Sequence, residues 1–256
     1  MEPLLRTQDL AIGFGSRRLM EGISIEARSG ELIALLGVNG IGKSTLLRTL
    51  AGMRASLAGS VTLSGHALER LSARERARQV AVVLTGRPAV GAMDVRSLVA
   101  LGRHPWTGAF GRSTATDDQA VDDALRKAGA EHLAERALAT CSDGECQKAL
   151  IARALAQHTP VILLDEPTAF LDLPNRAAIV RMLKDIARQE QKAIIFSSHD
   201  LQLALDLCDR VMLMRHTGSL WQGTPQAALT SGELERAFAG SGIRFDAGTG
   251  THRFTP

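Results

Sequence analysis

Glu31-Leu-Ile-Ala-Leu-Leu-Gly37-Val-Asn39-Gly40-Ile-Gly42-Lys43-Ser44-Thr45 is the stretch that decides the fold. Leu32 to Leu36 is a short apolar run that reads as a buried strand, and Leu46-Leu47-Arg48-Thr49-Leu50 after it has helical spacing. The turn between them fits G-x-x-x-x-G-K-[ST], the phosphate-binding loop. Glycines let backbone N–H groups curl around phosphate oxygens, and the helix that follows presents its positive N-terminal end. Lys43 adds a point charge for the β- and γ-phosphates, and the Ser44 hydroxyl is placed to ligate Mg²⁺. A glycine turn can match by accident, but here the strand and the helix also fall where the chemistry requires them.

Downstream, Val161-Ile-Leu-Leu-Asp165-Glu166 is four apolar residues ending in two carboxylates. That describes a buried parallel strand whose tip can face the nucleotide. Asp165 is then placed to hold Mg²⁺ through its water shell, and Glu166 to orient or deprotonate the attacking water. A second buried strand, Ala193-Ile-Ile-Phe196, runs through Ser197-Ser198 to His199, at the end that carries the phosphate chemistry. His199 therefore reads as a γ-phosphate contact, against the commoner structural histidine. Cys141-Ser142-Asp143-Gly144-Glu145-Cys146-Gln147 leads into a helix from Lys148, a second small polar turn at a helix N-terminus. On its own such a segment is far more commonly an ordinary N-cap, formed here by Ser142 or Asp143. Asp172 and Pro174 open an amphipathic helix with Ile179, Val180, Leu183 and Ile186 on one face.

Upstream, strand-like runs Leu4 to Leu10 and Ile23 to Arg28 flank a turn at Gly13-Phe14-Gly15-Ser16, predicting an antiparallel β lobe. Phe14 is either a half-buried loop aromatic or a stacking platform for adenine. Gly59 to Gly65 is another short strand, Val80 to Leu84 a clear one, and Val95 to Arg103 a helix. Asp117 is expected to cap a helix carrying Val121, Ala124 and Leu125. Trp106, in the loop His104 to Gly108, reads equally as a packing anchor or a partner contact. A hairpin spans Val211 to Trp221, Thr224-Pro225 opens a helix, and Gly248 to Pro256 is expected to fray.

The 256 residues allow one sizeable domain with a smaller lobe. The net charge of +3, with acids and bases interspersed, gives no electrostatic case for a nucleic-acid partner. No apolar run has membrane-spanning length and no signal-peptide pattern opens the chain, so a cytoplasmic protein is expected. Cys141, Cys146 and Cys208 make neither a disulfide framework nor a zinc pattern. Cys141 and Cys146 lie near a predicted helix N-terminus, where partial positive charge favours thiolate, but small buried side chains in a reducing cytosol are the commoner reading.

The ordered set of motifs resembles the ATP-binding subunit of an ABC transporter over nearly the whole chain. A Walker A at Gly37 to Thr45, a signature-like Cys141 to Gln147, a Walker B ending in Asp165-Glu166, a D-loop at Leu171-Asp172 and a switch histidine, His199, carry the likeness. The resemblance implies an α/β P-loop fold as one domain over 1–256, with core and β lobes over about 1–84 and 159–256. A helical subdomain carrying the signature would span 85–158. It also implies a head-to-tail dimer that sandwiches two ATP, each held by one chain's Walker A and the other's Ser142, Asp143, Gly144, Glu145 and Gln147, with Asp172 nearby. Phe14 takes the place of the family's adenine-stacking aromatic. Leu84-Thr-Gly-Arg-Pro88 and Leu101-Gly-Arg-His-Pro-Trp106 resemble importers of ferric siderophores, haem or cobalamin. Polytopic permease subunits, indirectly a substrate-binding protein, and a place on the cytoplasmic face of the inner membrane follow from that likeness. Two positions depart from it: Cys141 stands where the signature has leucine, and Thr85 where the Q-loop has a metal-reaching glutamine. Thr85 is expected to touch Mg²⁺ at most through a water. The competing readings are a soluble ABC-type ATPase of DNA repair or chromosome organisation, which would carry long heptad arms, and a P-loop kinase.

Overall fold

The computed structural model describes residues 2–88, 91–107 and 113–239, with the backbone alone of 243–246 and 251–254 beyond them. The chain begins β1 (Leu5–Phe14), β2 (Arg17–Ile23), β3 (Glu26–Ala27), β4 (Leu32–Leu36) and α1 (Lys43–Leu50). It continues through β5 (Ala58–Leu63), β6 (His66–Ala67), α2 (Ala73–Gln79) and β7 (Val80–Val83). Helices α3 (Val95–Ala100), α4 (Ala115–Lys127) and α5 (Asp143–Ala156) follow, then β8 (Val161–Leu164), α6 (Leu173–Gln189) and β9 (Ala193–Ser197). The last elements are α7 (Leu201–Leu207), β10 (Arg210–Met214), β11 (Leu220–Gly223), α8 (Pro225–Thr230), α9 (Glu233–Ala237), β12 (Ile243–Asp246) and β13 (Thr251–Phe254).

One sheet has the order β11-β10-β4-β9-β8-β7, parallel except for the antiparallel edge β11. Its strands are apolar at successive positions because both faces are covered. In β4, Leu32, Ala34 and Leu36 enter one core while Ile33 and Leu35 enter the other. In β9, Ile194 and Phe196 enter the first and Ala193 and Ile195 the second. The first core is closed by α3 to α7, the second by α1 and an antiparallel sheet ordered β2-β1-β5-β6, with β3 also on β1. Helices α3, α4 and α5 pack on one another beside the parallel sheet. A largely buried ion pair, Arg103 to Asp117 at 2.9 Å, joins the turn after α3 to α4, and Arg103 also donates to the Ala156 carbonyl of α5.

Four local expectations are corrected. Strand β1 runs to Phe14, because cross-strand bonding to Arg17 and Arg18 continues past Gly13; the turn is confined to Gly15-Ser16. The Ile23 to Arg28 run divides, Ile23 ending β2 and only Glu26–Ala27 pairing as β3. The cap of α4 is Thr114, and Asp117 is its partner three residues on, accepting from the Thr114 N–H at 3.0 Å. In the tail, Thr251–Phe254 pairs with Ile243–Asp246 and so does not fray; residues 248–250 and 255–256, like Gly108, lie outside the described set. Trp106 is a packing anchor: its Nε1–H donates to the Gln157 carbonyl at 2.8 Å and the Arg78 guanidinium lies 4.6 Å from its ring centroid.

Candidate functional site at the ends of three parallel strands

Strand order brings the chemistry together. β9 lies between β4 and β8, all three parallel, so the segments leaving their C-terminal ends meet in one crevice. Those segments are the loop Gly37 to Gly42, the pair Asp165-Glu166, and Ser197 to His199.

The loop needs glycine for both conformation and space. Gly37 has φ +153°, and a Cβ there would lie 3.1 Å from the Met214 carbonyl; Gly42 has φ +117°, with Leu19 Cδ1 at 3.3 Å. Gly42 is also the N-cap of α1 and brings no capping side chain, so the first-turn N–H groups face the loop. Gly40 and Asn39 are exposed at the loop's tip, while Thr45 is buried one turn into α1. The Lys43 ammonium is buried and donates to the carbonyls of Gly37 at 2.8 Å and Val38 at 3.2 Å. Burial pulls its pKa below the ordinary lysine value, and the Glu166 and Asp165 carboxylates oppose that shift. A buried cation among backbone dipoles, next to an uncapped helix start, fits a polyphosphate.

The Ser44 hydroxyl donates to Asp165 Oδ1 at 2.9 Å across 121 residues of sequence. A hydroxyl and a carboxylate side by side are a hard-oxygen donor pair suited to Mg²⁺, which takes few protein ligands and keeps waters and phosphates. Among the described residues no group of three His, Cys, Asp or Glu forms a fuller metal cage. Thr85, expected near the metal, donates its hydroxyl to the Asp165 carbonyl at 2.9 Å and so braces the backbone of the metal-side residue.

Glu166 has φ +50°, a left-handed conformation that costs a non-glycine residue roughly 1–2 kcal/mol. Its Oε1 is 2.6 Å from His199 Nε2, and His199 Nδ1 is 3.5 Å from Lys43 Nζ. Ser197, fully buried, links this group: it donates to Asp165 Oδ1 and accepts from the Glu166 N–H, both at 2.8 Å. The sequence offered only its place two residues before His199.

Phe14 ends β1 half-exposed, one ring face covered by the Arg54 guanidinium 4.3 Å from the centroid. Arg54 carries no sequence signal for this role. The signature segment makes its bonds elsewhere. Ser142 caps α5 in a reciprocal box with Glu145, and Glu145 pairs with Arg136 at 2.8 Å. Arg87, two residues after Thr85, donates to the carbonyls of Leu138 and Cys141 and lies 3.7 Å from Asp143. Asp172 caps α6. The structure thus unites Lys43, Ser44, Asp165, Glu166 and His199, while the bonds of Ser142 to Glu145 tie that segment to Arg87 and Arg136.

Cys141, Cys146 and Cys208 are buried free thiols. Burial raises the pKa of Cys146 and pushes Cys208 up to about 12. All three side chains pack in the first core.

Comparison with known proteins agrees with this geometry. The profile of the ABC transporter family matches residues 20–169. The chain is 40% identical to the hemin import ATP-binding protein of Nocardia farcinica, over 87% of this chain and 76% of that one. It is 33% identical to the ferric enterobactin transport ATP-binding protein of Escherichia coli K12, over 91% and 86% of the two chains. A solved transporter described as metal-chelate type, in an inward-facing conformation, superposes with a TM-score of 0.81 at 27% identity, covering 93% of this chain and 89% of that chain. The chain belongs to the ABC transporter family. Within it, this is an ATP-binding subunit, and its activity is ATP hydrolysis. The kinase and DNA-repair readings are set aside.

Two outcomes follow from the site. Thr85→Ala removes one neutral hydrogen bond and should lower the ATPase rate of the isolated subunit by about fivefold or less, on the order of 1 kcal/mol. A loss of several kcal/mol in steady-state assays would mean that the hydroxyl holds the metal directly. Alkylation at pH 8 should leave all three cysteines of the folded protein unmodified, and label all three in denaturant. At that pH the Cys208 thiolate is only roughly one part in ten thousand. Mass spectrometry reads the result.

Proposed function

We propose that this subunit powers an importer of a chelated metal or tetrapyrrole, an iron–siderophore, haem or cobalamin, from the cytoplasmic face of the inner membrane. The observation that carries the ATPase site is the bonded group Lys43, Ser44, Asp165, Glu166, His199. Phe14 stacks on adenine, Lys43 and the loop N–H groups hold the β- and γ-phosphates, and Ser44 and Asp165 hold Mg²⁺. Bound there, Mg²⁺ neutralises charge on the phosphate oxygens. Glu166 takes the proton of the attacking water, and His199 holds that carboxylate in place through Nε2 while contacting the γ-phosphate. The cargo assignment leans on the relatives' haem and enterobactin roles and the metal-chelate type of the similar structure.

The working form is a head-to-tail pair, with one chain's Ser142 to Gln147 completing the other's ATP site. Gly144 supports this. Its φ is ordinary for a helix, and a Cβ there would meet Leu171 at 3.8 Å and Asn175 at 4.0 Å, normal contacts. Neither conformation nor packing within the chain requires glycine, although glycine weakens a helix by roughly 0.5–1 kcal/mol relative to alanine. Close approach by another molecule accounts for it. Gln147 Nε2, a buried donor with no acceptor among the described residues, points the same way. Permease subunits meet the cleft lined by Met53, Arg76 and Leu101, whose exposed apolar side chains and basic rim suit an amphipathic segment; a substrate-binding protein acts on the far side of the permease. The alternative of a soluble ATPase acting on chromosomes would need long helical arms between Walker A and the signature. The longest described helix there is α4, with 13 residues.

Glu166→Gln should bind ATP and lose turnover by two orders of magnitude or more, on the order of a lost general base, whereas Lys43→Ala should weaken ATP binding itself. Wild-type turnover in Glu166→Gln would remove the base assignment. Gly144→Ala, in the first turn of α5, should be no less stable to urea than wild type yet lose ATP-dependent association and cooperative hydrolysis. If it dimerises with ATP as wild type does, the sandwich role of Gly144 is wrong.

A further inference from the structure

We infer that Ser197 is the positioning residue of the hydrolytic group: its buried hydroxyl couples the backbone of Glu166 to the metal-side carboxylate of Asp165. Ser197 is the last residue of β9, pairs with Leu35 of β4, and has no exposed surface. Every other position of that strand is apolar. A serine in such a place must have partners. Its partners are the two residues whose placement the chemistry requires.

A hydroxyl has one proton to give and two lone pairs to receive with. The proton goes to Asp165 Oδ1, which also accepts from Ser44. Oδ1 thus accepts two hydroxyl protons at once. A lone pair of Ser197 takes the Glu166 N–H. Glu166 stands in the left-handed region, so its backbone has an easier conformation to relax into. The Ser197 bond is what fixes the N–H and, through it, the direction in which the carboxylate leaves the chain toward His199. Thr85 secures the Asp165 carbonyl from the other side. One hydroxyl therefore sets two carboxylates in register.

This rests on Glu166 acting as the base, so Glu166→Gln is assayed in parallel. The experiment compares steady-state kcat and KM for MgATP in Ser197→Ala, Ser197→Thr and Ser197→Val. Threonine and valine have the same shape, so any overpacking in the buried site is common to both, and only the hydroxyl differs. Ser197→Ala and Ser197→Val should lose about tenfold or more in kcat with KM within about twofold of wild type, and Ser197→Thr should stay within about threefold in kcat. A purely structural serine would change urea stability without separating kcat from KM or threonine from valine. The inference is overturned by wild-type kcat in Ser197→Ala, by equal kcat in the threonine and valine variants, or by a rise in KM with kcat unchanged. If Ser197→Ala has wild-type kcat while Glu166→Gln is inactive, only the role of Ser197 fails; an active Glu166→Gln removes the base assignment itself.

Discussion

Two hydroxyl protons converge on one oxygen, Asp165 Oδ1, and the site depends on that convergence. Ser44 arrives from the phosphate loop and Ser197 from the end of β9, so a single carboxylate oxygen ties the loops after β4, β8 and β9 into one unit. Hydrogen bonds to a charged acceptor are worth more than neutral ones, and a buried carboxylate without them would be strongly penalised. The parallel order β4-β9-β8 makes the convergence possible: with β9 in the middle, Ser197 lies between the phosphate loop that leaves β4 and Asp165 at the end of β8.

The same crevice concentrates unfavourable terms that the surrounding structure offsets. Lys43 is an ammonium inside the protein, held by two loop carbonyls and by the field of Asp165 and Glu166. Glu166 holds a left-handed backbone and the loop has three glycines, Gly37, Gly40 and Gly42, in conformations other residues avoid. These costs are carried by two large cores on either face of the sheet, where residues of the five parallel strands are buried. A rigid base of that kind allows polar groups to be held ready for a charged substrate without rearrangement.

Departures from the family's usual residues find a physical place. Thr85 is too short to reach far, and it supports the Asp165 carbonyl. Arg87, two residues on, reaches the carbonyls of Leu138 and Cys141 at the threshold of α5. The segment between them thus joins the backbone of Asp165 to the residues that lead into α5. Cys141 occupies an apolar position in the first core, where a small hydrophobic side chain suffices.

The sequence by itself determined whatever depends on residues close together in the chain. The glycine spacing of the phosphate loop, the apolar runs ending at Asp165 and near His199, and the capping residues Ser142, Asp172 and Thr224 all act within a few positions. Strand and helix identity followed from periodicity for the same reason. Where local signals were ambiguous, tertiary contacts decided: β1 extends to Phe14 because β2 pairs with it, and the tail forms strands because its two halves find each other. Tertiary structure alone decided which serine joins Asp165 to Glu166, that Arg54 lies on Phe14, and that the Thr85 hydroxyl goes to a backbone carbonyl. Those contacts bridge about 30 to 80 residues, and no spacing in a chain encodes a contact that exists only once the fold has brought its ends together.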